Sequence, residues 1–317
     1  MATTPDITSG LDRGGSQTPP LKPIDESLQE LVQKAFAAGG EAGQAAKNFL
    51  HGTWLGEPLH VILTDIPIGA WTVALAFDGL ELLSKRREFA VAADASIGIG
   101  LAGAVGAALT GVTDWQNVDA PARRIGMVHG LLNICATALF VTSLVLRKKK
   151  SRTSGRVFAG LGYAVMTVAA RLGGKMVYQY RVGVDHTDGE TFPQDFVAVM
   201  SATDLPEAKP THAEHDGVAI LLVRRGERIF ALAETCSHAS GPLSEGKLVG
   251  DSIVCPWHAS RFSLEDGRVL DGPAVHPQPC LQVRVQNGKI EVRKPPCNDA
   301  KQMPPTGAEI AGAGQPA

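Results

Sequence analysis

Residues 59–83 read LHVILTDIPIGAWTVALAFDGLELL. A helix needs about 20 such residues to cross a hydrocarbon core of about 30 Å. Three more stretches of this kind follow: AVAADASIGIGLAGAVGAALTGVT at 90–113, IGMVHGLLNICATALFVTSLVL at 125–146 and VFAGLGYAVMTVAARLGGKMVY at 157–178. One alone could be a buried core helix. Four in succession, joined by short charged loops, read as a four-helix transmembrane bundle over residues 51–185. Gly98, Ala102 and Gly106 recur at spacing four in the second stretch, as do Gly103, Ala107 and Gly111. Faces of small residues let lipid-immersed helices approach closely, whereas so much Gly weakens a helix in water.

Charge gives this bundle a direction. Lys85, Arg86 and Arg87 follow the first apolar stretch, and Arg147, Lys148, Lys149, Lys150, Arg152 and Arg156 follow the third. Only Arg123 and Arg124 occupy the loop between the second and third. The positive-inside rule then sets the larger group in the cytoplasm and both chain ends outside. Trp54, Trp115, Tyr178 and Tyr180 fall at the opposite boundary, as an interfacial aromatic belt does.

The flanks are polar, so the mean hydropathy of +0.03 hides a split. Of 317 residues, 44% are apolar and 20% charged, with net charge -2. That balance excludes a nucleic-acid binder, because no basic surplus neutralises phosphates. Five Cys are too few for a disulfide scaffold. Residues 1–25 carry Pro5, Pro19, Pro20 and Pro23 and no apolar signal-peptide core, and are expected to be disordered. Leu28, Leu31, Val32, Ala35 and Phe36 have a weak helical period, broken at Gly39-Gly40. It reads as a short surface helix packed on its neighbour, with a helix lying on lipid as the alternative. Residues 1–50 are therefore read as a disordered tail and a short helix.

Beyond residue 196 the pattern turns to short β-rich runs. GVAILLV (217–223) and RIFALAE (228–234) flank a turn at 224–227, and LQVRV and KIEVR alternate about Asn287-Gly288, a hairpin signal. Residues 196–295 read as a small antiparallel β domain, and 298–317, without pattern, as a disordered tail. The fold class is α+β and multidomain.

The β domain carries the chemistry. Cys236-Ser-His238 is followed, after sixteen residues, by Cys255-Pro-Trp-His258. Zinc accepts two Cys and two His, but its structural sites mostly pair Cys with Cys and His with His. Here each pair mixes one sulfur with one nitrogen. That suits a [2Fe–2S] cluster in which one iron keeps two Cys and the other takes two His. Cys135, Cys280 and Cys297 read as small apolar or incidental residues. His212 and His215, in H-A-E-H, match no zinc-hydrolase motif.

Residues 236–258 resemble the Rieske signature, and the resemblance extends through Cys255-Pro-Trp-His-Ala-Ser-Arg-Phe262 to Gly272-Pro273, which looks like the Pro loop that covers the cluster. It implies one [2Fe–2S] cluster, with Cys236 and Cys255 on a buried iron and His238 and His258 on a more exposed one. Rieske proteins of quinol-oxidising cytochrome complexes add a disulfide between the cluster loops, where this chain has Gly241 and Trp257. They also place Tyr where it has Phe262, while Ser260 keeps its hydroxyl. Fewer hydrogen bonds to the cluster sulfurs imply the ferredoxin branch and a low potential, nearer about −150 mV than about +300 mV.

Residues 59–185 resemble an uncharacterised four-helix bacterial membrane family, sometimes fused to Rieske domains. The match is carried by Pro58-Leu59-His60, Pro67-Ile68-Gly69, Asp78, His129, Gly173-Gly174, Val177-Tyr178 and Gly183-Val184. His60 and His129 open helices running the same way, so they share a depth. Two such imidazoles suit haem b; interfacial His bonded to backbone or lipid is the commoner case. Asp78 and Asp94 read as proton-handling groups or, the commoner case, as helix-end carboxylates bonded to neighbours; Asp65 lies further within the apolar run, beside Thr64 and Pro67, and reads more strongly as functional.

Together these features imply a membrane-anchored carrier of single electrons between a donor reductase and an acceptor, in a bacterial cell membrane. It would be a component of an oxidoreductase system rather than a complete enzyme. The alternatives are a haem-containing, quinol-linked oxidoreductase subunit and a redox-sensing subunit. A Rieske oxygenase is disfavoured, because 24 residues after Arg293 cannot form a mononuclear-iron domain.

Overall fold

A computed structural model describes residues 21–295 and 308–309. Of the tail expected over residues 1–25, residues 1–20 lie outside the described residues, as do most of that after 295 and Cys297, whereas residues 21–25 are helical and open the first helix, where Asp25 is held by Arg123. The chain forms two compact units, one helical and one β.

The helical unit holds α1 (Leu21–Ala38), α2 (Gly40–His51), α3 (Leu59–Ser84), α4 (Arg87–Trp115), α5 (Ala122–Lys148) and α6 (Arg152–Tyr178). The last four are long and apolar enough to cross a membrane, and only 17–28% of each apolar window is buried. Leu83, Val91, Ile99, Val105 and Ile134 point outward. A surface so apolar calls for a hydrocarbon solvent.

α3 pairs with α4, and α5 with α6. The α4 face of Gly103, Ala107 and Gly111 packs inside: Gly103 lies against Ile66 and Pro67 of α3 and Gly111 against the His60 ring, while on the other face a Cβ at Gly106 would meet Leu63 of α3 at 3.4 Å and one at Gly98 would meet nothing within 4 Å. The two hairpins are versions of one another. His60 and His129, Trp71 and Phe140, and Asp78 and Arg147 are each 69 residues apart. Gly100 and Gly162, Ala107 and Ala169, and Gly111 and Gly173 are each 62 apart. Trp71 packs on Gly100 and Phe140 on Gly162, and the two rings stack at 4.0 Å in the core.

Where the hairpins diverge they become complementary in charge. Arg147, itself buried, holds Asp78 with both terminal nitrogens and reaches Asp94 at 3.0 Å. Arg152 binds Asp94 at 3.0 Å and Glu81 at 2.6 Å, and Arg156 binds Glu81 at 2.8 Å. Asp78 and Asp94 are thus carboxylates bonded to neighbouring helices. A charge in an apolar bundle is tolerated when paired in this way.

Residues 21–51 form two helices, broken at Gly39-Gly40. α1 packs with its polar face inward: Asp25 binds Arg123 at 2.7 Å, and Gln29 donates to the Trp115 and Val118 carbonyls. Its apolar stripe, Ile24, Leu28 and Leu31, faces outward at 41–64% exposure. A surface helix packed by its apolar residues would show the reverse.

The β unit has one sheet in the order β1 (Val197–Ser201), β10 (Lys289–Arg293), β9 (Cys280–Gln286), β4 (Arg228–Ala233), β3 (Val218–Arg225), β2 (Thr211–His215), with β11 (Ala308–Glu309) on β4. A smaller sheet runs β5 (Lys247–Leu248), β6 (Ser252–Val254), β7 (Arg261–Ser263), β8 (Val269–Asp271). All pairings are antiparallel. Asn287 and Gly288 both have positive φ and join β9 to β10, as a tight hairpin turn requires. The first hairpin turns at Gly226–Glu227, with Arg225 opposite Arg228. Alternate residues of β3 and β4 enter opposite cores. Ile220, Leu222, Ile229 and Ala231 face one; Leu221, Val223, Phe230 and Leu232 face the other, which holds Cys236 and Cys255.

Candidate metal centre

The loop after β4 and the loop after β6 are built alike. In the first, the Cys236 N–H donates to the Gly241 carbonyl at 2.9 Å, and the Ser240 N–H to the Cys236 carbonyl at 2.9 Å. In the second, Cys255 donates to Ser260 at 2.8 Å, and Ala259 to Cys255 at 3.1 Å. Ser240 and Ala259, four residues after each Cys, both take positive φ. Each turn folds the chain back on itself, placing its Cys at the root and its His near the tip.

The four expected residues come together as two pairs. Cys236 and Cys255 are buried in the core at 1% and 4% exposure, whereas His238 and His258 are partly exposed. The thiols are hydrogen-bonded to each other. That bond, then burial, pushes Cys236 well above the ordinary thiol range. The same bond pulls Cys255 down to about 7 against burial, with help from the N–H groups of Trp257 and His258. The N–H groups of His238 and Ala239 turn likewise toward the Cys236 sulfur. Such donors favour thiolate, the form that binds metal.

The imidazoles of His238 and His258 meet edge to face, with centroids 5.1 Å apart. Two imidazoles bound to one tetrahedral ion at about 2.0–2.1 Å have centroids about 5 Å apart. Among the described residues, no three His, Cys, Asp or Glu side chains close on a single-ion cage. A sulfur pair beside an imidazole pair fits a two-iron cluster, which takes two protein ligands per iron, better than one zinc ion, which takes four about a point.

The surroundings hold the loops in place. A Cβ on Gly241 would lie 2.8 Å from the Cys255 sulfur and 3.2 Å from the Trp257 ring, so the loops touch where the quinol-oxidising branch has its disulfide. Ser260, fully buried, accepts the Ala274 N–H at 3.0 Å and keeps its own hydrogen to donate. This bond ties the Gly272-Pro273 segment to the second loop. Phe262 is wholly buried in the core.

Three neighbours escaped the sequence reading. Gln278, 2% exposed, accepts the Ser237 N–H at 3.1 Å and donates to the carbonyls of Ala233 (2.9 Å) and Thr235 (2.5 Å). His186 donates its backbone N–H to Ser237 at 2.9 Å and pairs its ring with the Ser240 hydroxyl at 2.9 Å. Burial raises the Glu190 carboxyl pKa, opposed by a hydrogen bond from Thr235. None carries a motif; only the fold brings them to the loop. Cys280 is a buried core thiol, pushed up to about 12 by burial and then by Asp266, and Cys135 is exposed on α5. His212 and His215 stay apart from the centre, on β2.

Comparison with known proteins agrees with both halves. Residues 56–186 match a family described as a predicted membrane protein (DUF2231), and residues 195–289 match the Rieske [2Fe–2S] domain. The chain is 33% identical over 100 residues to ferredoxin CarAc of Metapseudomonas resinovorans, which covers 31% of this chain and 94% of that protein. It is 36% identical over 93 residues to the 3-phenylpropionate/cinnamic acid dioxygenase ferredoxin subunit of Escherichia coli (strain K12), covering 29% of this chain and 87% of that one. Among solved structures it is similar to the ferredoxin of carbazole 1,9a-dioxygenase from Nocardioides aromaticivorans IC177, at 30% identity, 32% coverage of this chain, 100% of that chain and a TM-score of 0.31. A [2Fe–2S] cluster and an electron-carrying role follow, and the chain belongs to the Rieske [2Fe–2S] family, its Rieske domain fused behind a DUF2231 membrane domain.

Proposed function

We propose that this protein carries single electrons at a bacterial cell membrane, held there by α3–α6. Cys236 and Cys255 bind the buried iron, and His238 and His258 the exposed one. The observation that carries this reading is the segregation of the four side chains: two thiols inside the β core, two imidazoles facing each other at 5.1 Å nearer the surface. When bound, a [2Fe–2S] cluster supplies a one-electron couple. The chain's own residues do the rest. The N–H groups after each Cys stabilise thiolate, Gln278 and Ser260 fix the loops, and the half-exposed imidazoles form the edge at which a partner docks. The donor is a reductase. The acceptor is an oxygenase-type or membrane-bound oxidoreductase, as the ferredoxin subunits among its relatives suggest.

The outward stripe of α1 lies on the lipid surface, because α1 is fastened by Asp25 and Gln29 to the junction of α4 and α5. The basic residues at 85–87 and 147–156 face the cytoplasm by the positive-inside rule, with both termini opposite. Reporter fusions after residues 87, 120 and 297 test that orientation.

The central experiment is metal analysis and redox titration of the full chain, purified anaerobically in detergent. About two irons and two sulfides per chain, with a reduced-state EPR signal and a midpoint near about −150 mV, are expected. Stoichiometric zinc, or iron retained unchanged in His258→Ala, overturns the ligand assignment. A strongly positive midpoint overturns the ferredoxin-type reading.

A further inference from the structure

The helical unit holds a second pair of facing histidines. His60 of α3 and His129 of α5 lie with ring centroids 6.4 Å apart and planes at 85°. Each is seated in the same way. The His60 Nδ1 is 2.8 Å from the Ala107 carbonyl and its ring packs on Gly111; the His129 Nδ1 is 2.8 Å from the Ala169 carbonyl and its ring packs on Gly173. A Cβ at Gly111 would come within 2.7 Å of the His60 ring, and one at Gly173 within 3.1 Å of the His129 ring.

Two consequences follow. A carbonyl can only accept, so both Nδ1 atoms carry the proton and both Nε2 atoms present a lone pair. This is the tautomer a metal-ligating imidazole needs, already fixed by its outer partner. Moreover, the same seat is present in both hairpins, although the corresponding positions Asp78 and Arg147 on the same helices carry opposite charges. The Asn133 amide, 3.0 Å from the His129 Nε2, marks that nitrogen as an acceptor and also reaches the His129 carbonyl at 3.1 Å, a bond it keeps if the ring is claimed.

We propose that His60 and His129 are the two axial ligands of one iron porphyrin of the haem b class. Two imidazoles trans on one ion at about 2.0–2.1 Å have centroids a little over 6 Å apart, close to the separation found. The ligand count selects porphyrin over a bare ion. No third His, Cys, Asp or Glu joins the pair among the described residues, and a lone divalent ion needs four to six ligands. A porphyrin brings four nitrogens and asks the protein for two. Its disc is apolar, as the bundle is, and both histidines are half-buried, so the pair can be reached from outside.

The test uses the full chain, produced with a haem precursor and purified in detergent, with its haem measured as the pyridine haemochrome. One haem b per chain with a low-spin bis-imidazole EPR spectrum is expected. His60→Ala and His129→Ala should each lower it at least tenfold while the helical circular-dichroism signal and its thermal transition stay unchanged, which controls for folding of the helical unit, and iron–sulfur content and EPR stay unchanged, which controls for the β unit. Free imidazole added to His129→Gly should restore the low-spin spectrum, which a merely structural histidine would not do. Three results overturn the proposal: no saturable uptake of haemin by the wild-type chain in nanodiscs, uptake indifferent to both replacements, or His-dependent binding of zinc at one per chain with haemin excluded. The Rieske cluster is read by a separate signal, so failure of either reading leaves the other standing.

Discussion

The chain holds two pairs of facing imidazoles, and the difference between them lies in what stands beside each. His238 and His258 sit near the tips of two like-built loops, 5.1 Å apart, with two buried thiols behind them. His60 and His129 sit on helices, 6.4 Å apart, with backbone carbonyls and glycines behind each ring and no thiol beside them. Loops can bring four side chains to one cofactor from a short stretch of sequence. Here α3 and α5 contribute one imidazole each, so a cofactor held between them has to bring its remaining donors. The two units also place buried polar groups differently: in the bundle the buried Arg147 pairs with Asp78, whereas beside the cluster loop the buried Gln278 turns to backbone carbonyls.

The largest effect expected is on the first pair. Cys255→Ser removes a buried thiolate that no neighbour replaces, and iron–sulfur content should fall from about two irons per chain to near zero. Haem bound to the second pair should not change. Simultaneous loss of both, measured by iron analysis and haemochrome in one preparation, would break the contrast between two independent centres. Next is Arg147→Met. It strips Asp78 of its two direct guanidinium bonds and leaves it only Arg152 at 3.6 Å and Arg156 at 3.8 Å, so the loss approaches the about 3–5 kcal/mol that removing one partner from a buried pair costs. Unfolding followed in the helical unit should show that loss, with the cluster signal intact. Asp78→Leu with Arg147→Met should recover most of it.

What could be read from the sequence follows the same division. Cys236, His238, Cys255 and His258 are close in sequence and chemically rare, so their spacing already spoke of two irons. The four apolar stretches needed only hydropathy, although α4–α6 each run several residues beyond them into charged ends. The likeness of the two hairpins was present in the sequence only as two different offsets, 69 residues for the first helices and 62 for the second, with few identities, and Asp78 against Arg147 reads as dissimilarity until the ion pair is seen. α1 was misleading for a different reason. Its apolar period announced a face to bury, and the buried face proved to be the polar one, because Arg123 and the carbonyls at the end of α4 required partners. Gln278, His186 and Glu190 follow no local rule. A glutamine's role depends on which carbonyls the fold brings to it.

Gln278 gives a smaller effect. Gln278→Ala removes one acceptor and two donor bonds around the first cluster loop, and leaving buried groups unpaired costs about 1–3 kcal/mol. Because the sheets remain, the change should appear as cluster lability. Iron release to a chelator should quicken several-fold with little change in the secondary-structure spectrum. Ser260→Ala is subtler still, since it spares all four ligands and removes a hydroxyl beside the second loop. A midpoint lowered by tens of millivolts within the Rieske range is expected. An unmoved potential would mean that the Ser260 hydroxyl serves only to hold Ala274.

The smallest effect concerns Glu190 and distinguishes how the two units manage buried charge. Burial raises its pKa above the ordinary carboxyl value, so the folded chain holds the proton more tightly than the unfolded chain. Its contribution to stability is therefore present at low pH and is lost as pH rises through the raised value. Glu190→Gln abolishes that loss. The variant should match the wild type near pH 4 and exceed it at pH 7 by a few tenths of a kcal/mol, as suits a partly exposed group. Glu81, held between Arg152 and Arg156 in the bundle, should behave oppositely: Glu81→Gln removes an ion-paired carboxylate and should weaken the helical unit at pH 7. Equal responses from the two substitutions, measured by thermal unfolding across pH, would show that both units bury acids on the same terms. Opposite signs would tie the difference to the arginines, which the helical hairpins supply and the Glu190 site lacks among its resolved partners, Thr235 and Asp185.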